Sequence, residues 1–134
     1  MKVFLVDDAR IIRQRLAKIL ATVKGVQIIG EAVDADDAIQ AIRCLRPDVV
    51  ILDLQLARGT GFDVLEAVKH DPSAPIVILL TNFPYPSFRQ KCLAAGADFF
   101  FDKSTEFQKI PNVLLQLSMK RHRRRHALSL RTEP

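Results

Sequence analysis

Apolar residues recur along this chain in two alternating rhythms. Short runs at Lys2–Val6, Val26–Val33, Asp48–Leu52, Ile76–Leu80 and Phe99–Phe101 have the length and the β-branched or aromatic content of strands. Between them the apolar positions follow helical spacing. Ile12, Leu16, Ile19, Leu20 and Val23 mark a helix over Ala9–Val23, with Gly25 as its stop. Asp34 is a good N-cap for a helix to Leu45, in which Ala38, Ile39, Ala41, Ile42 and Leu45 are apolar. Gly59–Gly61 punctuates a loop before a short helix, Phe62–Lys69, which ends at Asp71-Pro72. Pro86–Ala95 is a helix closed by Gly96. A last helix is predicted from Pro111, a residue that suits the first helical turn, and carries Val113, Leu114 and Leu117.

Strand and helix thus alternate five times. Strands that are apolar on both faces require cover on both faces, which argues a parallel sheet between helices. Right-handed crossovers leave few topologies open. In an open sheet of this kind ligands bind outside the carboxyl ends of the strands. At those ends the sequence sets Asp7-Asp8, Asp53, Thr81 and Asp102-Lys103. Each residue alone has an ordinary explanation: Asp7-Asp8 as a helix cap, Asp53 as a turn former, Thr81 as a strand residue, Lys103 as a solvated lysine. Their arrival on one edge is what points to chemistry. Clustered carboxylates repel and need a compensating charge. A hard divalent cation such as Mg²⁺ supplies it, held by carboxylates, water and a phosphate oxygen. A carboxylate can also act as nucleophile and form an acyl phosphate, with a lysine and a hydroxyl steadying the transferring group.

Composition changes this picture in two places. At 134 residues with 49% hydrophobic content the chain is one domain with a full core. No apolar run approaches the length of a membrane span, and Met1–Val6 stops too early at Asp7-Asp8 for a signal peptide. Cys44 and Cys92 form no disulfide framework, so a reduced, cytoplasmic protein is expected. The net charge of +5 is unevenly placed. Fourteen basic and fourteen acidic residues cancel up to Gln116; from Leu117 onward six basic residues face one acidic residue. The body is therefore no basic nucleic-acid surface, and only the C-terminal segment around Met119–His126 could be. That segment reads as a solvated helix extension, as a contact for an acidic partner, or as a nucleic-acid contact. No aromatic residue is interleaved for stacking on single strands, and the arginines between His122 and His126 disfavour a metal there.

Four segments carry a resemblance. Val3-Phe4-Leu5-Val6-Asp7-Asp8, Pro47-Asp48-Val49-Val50-Ile51-Leu52-Asp53-Leu54, Leu79-Leu80-Thr81 and Ala95-Gly96-Ala97-Asp98-Phe99-Phe100-Phe101-Asp102-Lys103 stand in the order and spacing of one family. From Lys2 to about Ser118 the chain resembles the receiver domain of two-component response regulators. The resemblance implies a flavodoxin-like (βα)5 three-layer sandwich with strand order 2-1-3-4-5. It implies that Asp53 accepts a phosphoryl group from a histidine kinase or a histidine phosphotransfer protein. Asp8, Asp53 and the backbone carbonyl of Gln55 would ligate Mg²⁺, with Asp7 acting through a metal-bound water. Lys103 would pair with the phosphoryl oxygens, and Thr81 would move to bond them, drawing Phe100 inward and remodelling the face made by the fourth helix, fifth strand and fifth helix. A downstream protein, or a second copy of the chain, would bind that face, near Phe88, Phe100 and Phe107.

The chain departs from the family pattern at Ala57 and Ser104, where proline is usual, and at Phe100, which lacks the usual tyrosine hydroxyl. Gln55 and Phe83 stand at positions that look onto the phosphoryl group in this family. A bulky Phe83 would hinder the attacking water, so slow autodephosphorylation is expected. Residues 119–134 form a basic extension too short for a folded effector, which makes a stand-alone receiver the expectation. The leading function is a phosphorylation-activated switch read out by protein binding, not an enzyme. The alternatives are a phosphate relay or sink, a nucleic-acid-binding regulator acting through the tail (disfavoured), and an aspartyl phosphatase. The last lacks a second aspartate two residues after the nucleophile, where Gln55 stands.

Overall fold

The computed structural model describes residues 1–132, with side chains described to Leu128. Strands β1 (Lys2–Val6), β2 (Gln27–Ala32), β3 (Val49–Leu52), β4 (Ile76–Thr81) and β5 (Phe99–Asp102) alternate with helices α1 (Arg10–Leu20), α2 (Ala35–Leu45), α3 (Gly61–Lys69), α4 (Pro86–Ala94) and α5 (Lys109–Thr132). All paired strands are parallel, in the order β2-β1-β3-β4-β5. The fold class and strand order expected from the sequence are those observed.

The two-residue period of the strands divides the core. Phe4, Val6, Val50, Leu52, Val77 and Leu79 point to one face and pack under α2, α3 and α4. Val3, Leu5, Val49, Ile51, Ile78 and Leu80 point to the other, against α1 and α5. Side chains of this size contribute roughly 1.5–3 kcal/mol each on burial, so the central strands dominate the stability. One glycine is fixed by this packing. A Cβ on Gly30 would stand 2.8 Å from the Phe4 ring, beside the β1–β2 irregularity at Val3/Phe4.

Boundaries moved by a few residues for local reasons. α2 is capped as expected, with Asp34 accepting from the Asp37 N–H. α3 carries a reciprocal capping box between Thr60 and Asp63. α1 ends at Leu20, not Val23, because the Thr22 hydroxyl donates back to the Ile19 carbonyl and the chain turns there. Gly25, at φ 83°, serves the turn into β2 instead of stopping the helix. Pro111 lies in the first turn of α5, which begins two residues earlier at Lys109 and continues unbroken past Ser118. Among the described residues no helix is long and apolar enough to cross a membrane.

Candidate functional site

The hydrogen-bond ladder continues one step beyond the strands and aligns the residues that come after them. The Asp7 N–H donates to the Ala32 carbonyl at 3.1 Å, Asp53 to Val6 at 2.9 Å, and Lys103 to Thr81 at 2.8 Å. Asp7, Asp8 and Asp53 therefore meet at the carboxyl edge, where one carboxylate oxygen from each lies within 4.8 Å of the others. Asp7 and Asp53 are buried, whereas Asp8 is exposed.

Lys103 reaches into this cluster. Its Nζ lies 2.7 Å from Asp7 Oδ2 and 2.8 Å from Asp53 Oδ2, and the residue is only 7% exposed. The solvated lysine that its position alone would suggest is not what the fold makes of it. Burial works against the charged ammonium, but the bonds and charges of Asp53 and Asp7 outweigh it and lift its pKa above the ordinary value. Burial is also the largest influence on Asp53. Together with the charge of Asp7 it raises the Asp53 pKa, against the lowering effect of Lys103 and the Gln55 N–H. Three carboxylates around one ammonium leave two negative charges uncompensated when all are ionised. An all-oxygen set with that residual charge fits a hard divalent cation.

The remaining sequence-predicted residues fall around this cluster. Gln55 follows Asp53 by two residues, and its N–H donates to Asp53 Oδ1 at 3.3 Å. Thr81 is fully buried at the end of β4, where its Oγ1 accepts from the Phe83 N–H at 3.0 Å. Phe100 is 4% exposed and turned inward, with the Arg89 guanidinium 5.9 Å from its ring centre. Asp102 stays outside the carboxylate group. It closes a turn by accepting from the Ser104 N–H and hydroxyl, which hold its pKa below the usual carboxylate value. Asp7 is not a helix cap either, since α1 has no side-chain cap and Asp7 Oδ1 instead accepts from the Ala9 N–H.

The three aromatic residues near the expected docking face differ in exposure. Of Phe88, Phe100 and Phe107, only Phe88 is exposed; Phe107 is 2% exposed beneath the Arg15 guanidinium and is part of the core. Tyr85 joins Phe88 at the surface, with ring centres 5.7 Å apart. Together with Leu54, Phe62, Phe83 and Cys92 they line an open groove of about 610 Å³ that begins beside Gln55.

Two positioning residues were not singled out from the sequence. A Cβ on Gly61 would stand 2.0 Å from the Asp53 carbonyl oxygen, so only glycine lets the head of α3 close against the end of β3. The Gly61 N–H then donates to Leu54 at 2.9 Å. Arg13 donates to the Asp7 carbonyl at 2.7 Å and pairs with Glu31 at 3.2 Å, fastening the loop after β1. The Gly59-x-Gly61 spacing was a signal for the first; nothing in the sequence distinguished Arg13 from other helix-surface arginines.

Known proteins place this architecture. The family profile described as the response regulator receiver domain matches residues 3–115. A transcriptional regulatory protein of Bacillus subtilis, YvfU, is 27% identical over 85% of this chain and 57% of its own length. A protein-glutamate methylesterase/protein-glutamine glutaminase of Geobacter sulfurreducens is 36% identical over 79% of this chain and 28% of its own. The chain thus spans little more than half, or less, of these relatives. Among solved structures, the signal receiver domain of a NarL response regulator from Mycobacterium tuberculosis superposes with a TM-score of 0.79 at 27% identity, covering 88% of this chain and 95% of that one. A signal receiver domain from Colwellia psychrerythraea reaches 0.81 at 24% identity, covering 89% and 98%. With its matching profile, strand order and acidic edge, the chain belongs to the response regulator receiver domain family.

Proposed function

We propose that this chain is a phosphorylation-activated switch in which Asp53 is the acceptor. The observation that carries the proposal is the buried Asp53 carboxylate, held by Lys103 within a group of three carboxylates at the carboxyl edge of the sheet. Asp8, Asp53 and the Gln55 carbonyl would hold Mg²⁺, and Asp7 would act through a bound water. The cation supplies charge neutralisation between the acceptor and the incoming phosphoryl group. A carboxylate oxygen of Asp53 attacks phosphorus, the P–N bond of a donor phosphohistidine breaks, and the leaving imidazole nitrogen takes a proton. Lys103 is already within hydrogen-bond reach of Asp53 Oδ2, where it can follow the phosphoryl oxygens. Hydrolysis later returns the carboxylate and inorganic phosphate, so the chain is a phosphoacceptor and not a catalyst of another molecule's reaction.

The donor class is a histidine kinase or a histidine phosphotransfer protein. Readout runs through the Thr81 hydroxyl, which among the described residues is bonded by the Phe83 N–H and can exchange that bond for a phosphoryl oxygen. Phe83 leads directly into α4, a helix with a single buried residue, Cys92. An element so lightly anchored is cheap to shift, and the exposed Tyr85, Phe88 and Leu93 on it suit a downstream protein.

Intact-protein mass after incubation with acetyl phosphate tests this. A phosphoryl adduct is expected with Mg²⁺, absent with chelator and absent in Asp53→Asn. An adduct of equal yield in Asp53→Asn would refute the assignment.

A further inference from the structure

Beyond the switch, the second half of α5 has features that the receiver chemistry leaves unused. Among the described residues, Leu117 is the last of this helix to pack on the core, and Arg121 makes its last ion pair, with Asp48. The helix nevertheless continues to Thr132. From His122 to Leu128 every residue is exposed. Among the described residues, Lys120, Arg123, Arg124 and Arg125 have no acidic partner. Lys120 with Arg124, and Arg121 with Arg125, are like charges one turn apart, which disfavour an isolated helix. Such a segment gains most from a partner that brings negative charge.

The outward side of α5 shows what shape that partner has. Leu115 and Met119 are 43% and 49% exposed. With the exposed His122 and His126 they fall at spacings of four, three and four, which is the seam of a two-helix contact. Arg123 and Arg125 then flank the seam on either side, at the positions that set partner choice by charge. A second copy of this chain would bring the same basic segment, with six basic residues against one acidic residue from Leu117 onward, and so no negative charge to match it. A membrane surface would find only two apolar residues to take up, and a nucleic acid would make no use of the Leu115–Met119 step.

We propose that the outer face of α5 from Leu115 to His126 docks an acidic amphipathic helix of another protein, with apolar residues in its seam and carboxylates beside it. The test is fluorescence anisotropy of the full chain with a labelled synthetic helix of about four heptads, leucine at its seam and glutamate beside it. Binding is expected in about 50 mM salt and should weaken in about 300 mM salt. Arg123→Glu with Arg125→Glu, and separately Leu115→Ser with Met119→Ser, should each weaken it about tenfold or more. Equal binding of the same peptide with serine in its seam would overturn the proposal, as would stronger binding of duplex DNA or of anionic phospholipid vesicles. Absence of binding to the leucine–glutamate helix, or a self-association lost in Met119→Ser, would overturn it as well.

Discussion

Phe83 sits where Thr81, the acidic cluster and the aromatic groove meet. Its N–H is the present partner of the Thr81 hydroxyl, and its ring lies 6.3 Å from that of Tyr85. A half-buried phenyl group at that point offers no acceptor to orient a water for attack on an acyl phosphate. Loss of the phosphoryl group should therefore be slow, and Phe83→Glu should quicken it by on the order of tenfold, which corresponds to about 1.4 kcal/mol of barrier. Timed mass measurement after removal of acetyl phosphate tracks this decay. An unchanged rate would mean that Phe83 does not limit access. Lys103 carries a different lesson at this scale. Taken singly, its sequence position showed a lysine at a strand end and nothing more, because burial of an ammonium depends on carboxylates brought from β1 and β3, 50 and more residues away. Its place on the same sheet edge as the carboxylates first pointed to a role, and the family resemblance then assigned it.

At the scale of elements, two joints hold the site and the tail in place. The first is the β3–α3 connection. Gly61→Ala would set a methyl group against the Asp53 carbonyl, a clash that no rotamer can relieve. A cost of about 2–3 kcal/mol is expected from such overpacking. It should appear as a lower urea midpoint together with reduced phosphorylation of Asp53; unchanged midpoint and yield would show that the loop yields freely. The second joint is Asp48, which accepts from the Lys2 N–H at 2.7 Å and pairs with Arg121 of α5. Partial burial works to raise its pKa, but the Lys2 bond and Arg121 prevail and hold it below the ordinary 3.8. A depressed carboxylate stabilises the fold at pH values above its unfolded value, and the contribution is lost as pH falls through the folded value. The pair is partly exposed, so Asp48→Asn should cost about 1 kcal/mol or less at neutral pH. The two proteins should draw together as pH falls through the folded value. Urea unfolding at neutral pH and at successively more acid pH checks this, and a gap that does not narrow in acid would place its origin elsewhere.

Most strands and helices were legible from an apolar run of one period, whereas α4, with Cys92 its one buried residue, was marked by Pro86 and Gly96 alone. The misplaced ends have local causes that periodicity does not contain, such as the Thr22 hydroxyl bonding Ile19 and the start of α5 two residues before Pro111. Which of the aromatic residues near that face reach the surface was not legible, because aromatic content alone does not say which side of a helix entrance faces the core; at Phe107 the Arg15 side chain covers the ring.

For the whole molecule, charge and topology divide the work. Parallel strands carry Asp7, Asp53, Thr81 and Lys103 to one edge, while Asp48, Met1 and the start of the basic extension lie at the opposite edge. The balanced body and the basic extension are thereby separate surfaces, and the readout proposed for Asp53 through α4 does not require the tail. This separation was visible in the sequence as a charge count, but which face of α5 carries the seam was not, because that face is fixed by how Ile110, Leu114 and Leu117 pack. All of this rests on Asp53 being the residue that receives the phosphoryl group. The most direct measurement is borohydride reduction of the acetyl phosphate-treated protein and then peptide mapping, since an aspartyl phosphate is reduced to homoserine. Homoserine is expected at position 53 in the Mg²⁺-treated protein, and aspartate there when Mg²⁺ is removed. Homoserine at Asp7, Asp8 or another carboxylate, with aspartate intact at position 53, would contradict the assignment.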